Sequence, residues 1–322
     1  MQAIVQRTYG SADVLGLAEI DKPEIATNEV LVKVHAAGLD RGTWHLMTGL
    51  PYLVRLAFGF RAPKNPVPGL DVAATVVAIG SDVTRFKAGD EVFGVSRGSF
   101  AEYAAALEDK LAPKPASLSF EQAAVVPISA LTALQGLRDA GRIESGQKVL
   151  IVGASGGVGT YAVQLAKAFG AEVTGVCSTA KVDLVRSIGA DHVVDYTRED
   201  FADGVQRYDL ILDIGGNSRL SRLRRALTPT GALVIAGGEE GGKWTGGIDR
   251  QLRALALSLF VRQRMTMFIS KENHADLATL TQFIEAGDVT PVVDKAYPLA
   301  EAPDAMRHLE AGHARGKVVI TM

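Results

Sequence analysis

The stretch Val149–Val176, VLIVGASGGVGTYAVQLAKAFGAEVTGV, constrains this chain more than any other. Val149–Val152 is an apolar run of strand length. Ala154, Ser155, Gly156, Gly157, Val158 and Gly159 turn the chain, and Thr160–Phe169 repeats apolar residues at helical spacing. Glu172–Val176 then returns as a second strand. Glycines in such a turn let backbone approach a pyrophosphate closely, and the helix that follows offers unpaired N–H groups and a positive dipole end. A glycine triplet alone says little, but between a buried strand and a helix it predicts a dinucleotide-binding βαβ unit.

The end of the second strand bears on which dinucleotide. NAD-binding units place Asp or Glu there, on the ribose 2′-OH. This chain has Cys177, then Ser178, Thr179 and Lys181, with no carboxylate along the chain until Asp183. A carboxylate repels a 2′-phosphate, whereas hydroxyls and a lysine accept one, so NADPH is expected over NADH. Ser178 also suits the cap of a helix starting near Lys181, and the two roles coincide at a helix start.

The length of 322 residues allows two domains. A net charge of −2 gives no reason to expect nucleic acid or an anionic membrane as partner. No apolar run reaches the length of a membrane span, and MQAIVQRTYG at the start reads as a strand rather than a signal peptide. Cys177 is the single cysteine, which rules out an intrachain disulfide and a multi-cysteine zinc site and suits a reducing cytoplasm.

Up to Val126 the signals are β: Ala3–Gln6, Glu29–Ala36, Ala73–Ile79, Glu91–Gly94 and Glu102–Ala105 read as short strands between Gly, Pro and Asp turns. Phe120–Leu137 reads as helical, broken at Pro127. From Lys148 strands and helices alternate, with further strands at His192–Asp195, Asp209–Asp213, Ala232–Ala236 and Met265–Ile269. That is the content of a doubly wound parallel sheet. The tail predicts helices at Asn273–Ala286 and Ala302–Glu310, a turn-rich stretch over Gly287–Pro298, and a last strand at Lys317–Thr321. Glu239–Ala256, with its glycines and Trp244, reads as a mobile loop. The arginines at 219, 222, 224 and 225 read as a solvated face.

These residues, taken in order, resemble the medium-chain dehydrogenase/reductase superfamily and its zinc-independent quinone oxidoreductase branch. The resemblance rests on the glycine turn, on Pro68-Gly69-Leu70-Asp71, Ala78-Ile79-Gly80 and Gly89-Asp90-Glu91-Val92-Phe93, and on the tail from Ile284 to Val319. It implies a Rossmann coenzyme domain over 127–269 and a discontinuous GroES-like β-rich catalytic domain over 1–126 and 270–322. It further implies a cleft between them for nicotinamide and substrate, and a homodimer joined through Met265–Ile269. Zinc alcohol dehydrogenases carry Cys where this chain has Asp40 and His where it has Leu70, so no metal is expected. Hydride transfer to a quinone or an α,β-unsaturated carbonyl fits a site without a Lewis acid, because the adjoining carbonyl delocalises the developing charge. An aldehyde or ketone reductase, or an NADPH-binding redox sensor without turnover, are the alternatives.

Candidate catalytic residues are Asp40, Tyr52 and Thr132. Asp40 suits a substrate or water contact and equally the cap of a helix at Gly42–Met47. Tyr52 matches a pocket-lining tyrosine able to bond an enolate oxygen, or is packing over the cleft. Thr132 resembles the residue against the nicotinamide, or bonds its own helix backbone. The cofactor set is completed by Tyr196 near the adenosine phosphate, Asn217, Gly237 and Gly238 at strand ends, and Lys317 from the tail.

Overall fold

The computed structural model describes residues 1–216, 218–238 and 242–322. The chain opens with strands β1 (Gln2–Val5) and β2 (Gly16–Glu19), paired antiparallel. There follow β3 (Glu29–Leu39), helices α1 (Arg41–Thr48) and α2 (Val54–Phe58), and strands β4 (Asp71–Ile79), β5 (Glu91–Val95), β6 (Tyr103–Leu107) and β7 (Leu111–Pro113). Alternation drives the sheet: Val30, Val32 and Val34 of β3 face one core with Val72, Ala74 and Val76 of β4 and Val92 of β5. Helix α3 (Phe120–Ala124) starts on a capping box between Ser119 and Gln122, and α4 (Pro127–Gln135) begins at a proline, whose missing N–H costs nothing there.

Strand and helix then alternate: β8 (Lys148–Val152), α5 (Gly157–Ala168), β9 (Glu172–Cys177), α6 (Val182–Ser187), β10 (His192–Asp195), β11 (Tyr208–Asp213), α7 (Leu220–Ala226), β12 (Leu227–Ile235), α8 (Gly242–Thr245), α9 (Ile248–Ser258) and β13 (Arg264–Met267). Among the described residues these strands form one parallel sheet in the order β10-β9-β8-β11-β12-β13. Its central strands are buried on both faces, which is why Val149–Val152 and Leu210–Leu212 read as unbroken apolar runs.

The tail adds α10 (His274–Glu285), β14 (Val293–Pro298), α11 (Ala302–Glu310) and β15 (Lys317–Thr321). β15 lies antiparallel to β3, so Val318 and Ile320 join a core with Ile4, Leu39, Met47 and Phe100. Two units result: Met1–Leu131 with Glu272–Gly287 and Pro291–Met322, and Thr132–Lys271 with Asp288–Thr290. The boundaries fall inside α4, just past β13, and on either side of the short stretch Asp288–Thr290.

Two expectations are corrected. Gly287–Pro298 is not all turn: β14 pairs parallel with β15, and main-chain bonds plus buried Tyr297 hold a strand whose Asp and Lys weaken its apolar pattern. Glu239–Ala256 is not one loop: Gly246 and Gly247 take positive φ before α9, and Leu252 and Ala254 belong to that helix. Glu239, Glu240 and Gly241 lie outside the described residues.

Candidate cofactor and active site

The parallel sheet changes direction between β8 and β11, since β9 and β10 lie to one side and β12 and β13 to the other. Ligands collect outside the carboxyl ends of strands at such a point. Here the three chain exits are stitched together. Gly153 and Ala154 N–H groups donate to Val176 O, Ile214 and Gly215 N–H groups donate to Val152 O, and Gly237 N–H donates to Asp213 O, all at 3.0–3.2 Å. A Cβ on Gly159 would lie 2.1 Å from Gly153 O, and one on Gly237 would lie 1.8 Å from Ile214 O. Only glycine lets the helix and strands approach this closely.

Helix α5 begins at this mouth with Gly156 as its N-cap. It has no side-chain cap and no acid in its first turn. Its first N–H groups lack partners four residues back, which is the donor set a pyrophosphate requires. A Cβ on Gly156 would meet nothing closer than 3.5 Å, so the lip of the turn is open. The residues Ala154–Gly159 therefore fit a dinucleotide. Gly237 and Gly238 sit at the end of β12 beside this mouth; Asn217 lies outside the described residues.

At the adenosine end the sequence reading needs a correction. A carboxylate is present, supplied across the sheet rather than along the chain. Asp195 is the register partner of Cys177 and accepts from Thr179 Oγ1 at 2.5 Å, with Thr197 Oγ1 at 2.7 Å and Thr197 N–H at 3.0 Å on its other oxygen. The Thr179 hydroxyl leads the causes that hold Asp195 below the usual carboxylate range. Thr179 is thus committed to Asp195. Tyr196 follows directly, 58% exposed, with its N–H on Cys177 O. Burial, then Asp195, pushes the Cys177 thiol up to about 11, so it stays protonated and unreactive.

Behind the mouth lies a pair that sequence reasoning missed. Asp213, fully buried at the end of β11, accepts from Arg250 of α9, and Arg250 Nη1 donates to Gly216 O at 3.0 Å. Burial pushes the Asp213 carboxyl up and Arg250 opposes it. An acid closing the apolar run Leu210–Leu212 was the available signal, since it demands a cation. Thr132, half-buried in α4, donates to Ser270 Oγ at 3.0 Å.

In the β-rich unit, Asp40 is 7% exposed and its Oδ1 caps α1 through Thr43 N–H at 2.7 Å, while its buried Oδ2 has no hydrogen-bond partner. Tyr52 stacks on the Arg55 guanidinium at 4.8 Å, and Tyr9 covers the same guanidinium at 4.5 Å. Lys317 is not a free cation. It is 2% exposed, and its Nζ donates to Oδ2 of fully buried Asp71 at 3.1 Å. The other Asp71 oxygen accepts from Ile128 N–H at 2.9 Å. Burial foremost, with Asp40 adding, raises Asp71 to about 7 against the pull of Lys317. Among the described residues no group of three or more His, Cys, Asp or Glu could hold a metal.

Two family models match: alcohol dehydrogenase GroES-like domain over residues 26–116, and zinc-binding dehydrogenase over residues 188–320. A 2-methylene-furan-3-one reductase of Solanum lycopersicum is 36% identical over 99% of this chain and 79% of its own length. An NADPH-dependent alkenal/one oxidoreductase of Arabidopsis thaliana, chloroplastic, is 38% identical over 99% of this chain and 79% of its own length. The structure of Escherichia coli quinone oxidoreductase complexed with NADPH superposes with a TM-score of 0.86 at 27% identity, covering 100% of both chains. The chain belongs to the medium-chain dehydrogenase/reductase superfamily, in its quinone oxidoreductase-like branch.

Proposed function

We propose that this chain is an NADPH-dependent, zinc-independent reductase of quinones or α,β-unsaturated carbonyls. The observation that carries the reading is the glycine-built mouth at the switch point, with an uncapped, acid-free start to α5. The relatives named for alkenal/one and quinone reduction support the substrate class. Leu70 cannot ligate a metal, and the Asp40 oxygen bonded to Thr43 N–H is already occupied as a cap.

When bound, NADPH would supply a hydride to the β-carbon of an enone, giving an enolate whose α-carbon then takes up a proton. Backbone N–H groups of Gly156–Gly159 would hold the pyrophosphate, and Ser178, Lys181 and Tyr196 would hold the adenosine phosphate. Gly237 and Gly238 would let backbone pass close to the nicotinamide, and Thr132 would help hold that ring. Tyr52 would bond the developing enolate oxygen or, in place of water, donate the proton. Asp40 fixes the start of α1 through Thr43 N–H.

We further infer a homodimer through β13, which pairs only with β12 among the described strands. Leu259, Phe260 and Ile269 flank it at 81–84% exposure. Light scattering that returned a monomer mass would overturn this. A cytoplasmic location rests on the single, buried thiol; cell fractionation tests it.

The decisive assay follows NADPH consumption with an enone and with the matching saturated ketone. Turnover of the enone alone supports the reading. Equal turnover of both transfers the assignment to carbonyl reduction, and failure to bind NADPH in a fluorescence titration refutes it.

A further inference from the structure

Between Arg41 and Leu70 the chain contains no Asp or Glu, yet it carries Arg41, Arg55, Arg61 and Lys64. A net charge of −2 for the whole protein conceals this local excess of positive charge. The same segment exposes large apolar side chains: Leu53 at 45%, Leu56 at 73%, Phe58 at 49% and Phe60 at 74%. Single exposed apolar residues need no explanation, but four within eight residues mark a contact surface.

This exposure is not the product of a loose loop. Tyr9 Oη donates to Gly59 O at 2.6 Å, and Arg55 Nε donates to Gly49 O at 2.9 Å from between its two tyrosines. Lys64 closes the far side, its N–H on Phe58 O and its Nζ on Ala57 O, both at 2.8 Å. A Cβ on Gly59 would sit 2.0 Å from Ala62 O, so the bend admits only glycine. The backbone is pinned from within while Leu53, Leu56, Phe58 and Phe60 are turned outward, with Arg61 and Lys64 exposed beside them.

We propose that the segment 53–64 docks the protein peripherally on an anionic lipid surface. Apolar side chains at the acyl boundary with cations at the headgroups are the two attractions that hold an interfacial element. The absence of any acid in the segment removes the repulsion that would oppose it. No described helix is long and apolar enough to span a membrane, so the contact is a surface one. The proposal goes beyond the reductase reading and does not depend on it.

The test is co-sedimentation of the full chain with vesicles of phosphatidylglycerol and phosphatidylcholine, against vesicles of phosphatidylcholine alone. Binding is expected on the anionic vesicles and should fall as salt rises. Arg61→Gln with Lys64→Gln should weaken it about 30-fold, the charge of each residue counting separately. Leu56→Ser with Phe60→Ser should weaken it at least as much. Both double variants should keep parental NADPH affinity and turnover of a short water-soluble enone, which separates lost docking from lost folding. Absence of binding, or binding indifferent to both double variants, overturns the proposal. So does a result in which the apolar variant loses only turnover of long-tailed enones, because the surface would then serve a substrate tail.

Discussion

Replacing Lys317 with Met should destabilise the β-rich unit in a pH-dependent way. The change keeps the stem and removes the ammonium 3.1 Å from fully buried Asp71. Breaking one side of a buried ion pair costs about 3–5 kcal/mol, because the carboxyl left behind must stay buried as an unpaired charge or take up a proton. The pH dependence follows from Asp71, whose pKa near 7 in the folded chain lies above its ordinary 3.8. The folded state therefore holds the proton more tightly than the unfolded state. Stability from this group is fully present below about pH 4 and is lost as pH rises towards 7. Without Lys317 nothing of opposite charge restrains that rise, so the carboxyl of the variant stays protonated to higher pH. The loss in Lys317→Met should then be about 3–5 kcal/mol at pH 8 and less than half of that at pH 5. Adding Asp71→Asn should restore most of it at pH 8. Urea unfolding in a Trp244→Phe background reads this unit through Trp44, the only other tryptophan. A single variant within about 1 kcal/mol of the parent at pH 8, or an equal loss at both pH values, would refute the reasoning.

Three further outcomes are expected. Gly159→Ala places a Cβ 2.1 Å from Gly153 O, which pushes α5 off β8; a fluorescence titration should show NADPH affinity reduced by more than about tenfold, as for a helix-start donor set moved out of place. Lys181→Ala should weaken NADPH much more than NADH, and an equal loss would remove the lysine from the phosphate site. Arg250→Met leaves Asp213 buried without its cation, so unfolding should be easier by about 3–5 kcal/mol at neutral pH.

The order of elements was legible because its causes are local. An apolar run, a glycine turn and a 3.6-residue repeat lie next to one another along Val149–Ala168, and the structure follows them to within a few residues. The strands missed by sequence reading, Gly16–Glu19 and Leu111–Pro113, are four and three residues long and exist through pairing with β1 and β5. β14 was hidden in the same way. Hydrogen bonds to a neighbour distant in sequence, not composition, make these segments strands.

The site divides along the same line. The cap by Asp40 was open to a local reading, because Asp ahead of a helix bonds an N–H three residues on. Lys317 with Asp71 and Arg250 with Asp213 are 246 and 37 residues apart, and each forms only because one partner sits on a buried strand. Asp195 shows what such distance does to a cofactor argument. Scanning forward from Cys177 reaches no carboxylate before Asp183, yet parallel pairing of β9 with β10 sets Asp195 beside Cys177. A free carboxylate there would repel a 2′-phosphate. This one is bonded by Thr179 and Thr197, with Arg198 3.9 Å away, so much of its charge is already answered within the protein. Preference for NADPH therefore rests less on the missing acid than on that acid being saturated. Thr179→Val, which frees one Asp195 oxygen and leaves Lys181 in place, should lower NADPH affinity while sparing NADH. If NADPH affinity rose instead, Thr179 would be a competitor of the phosphate, and the saturation argument would fail.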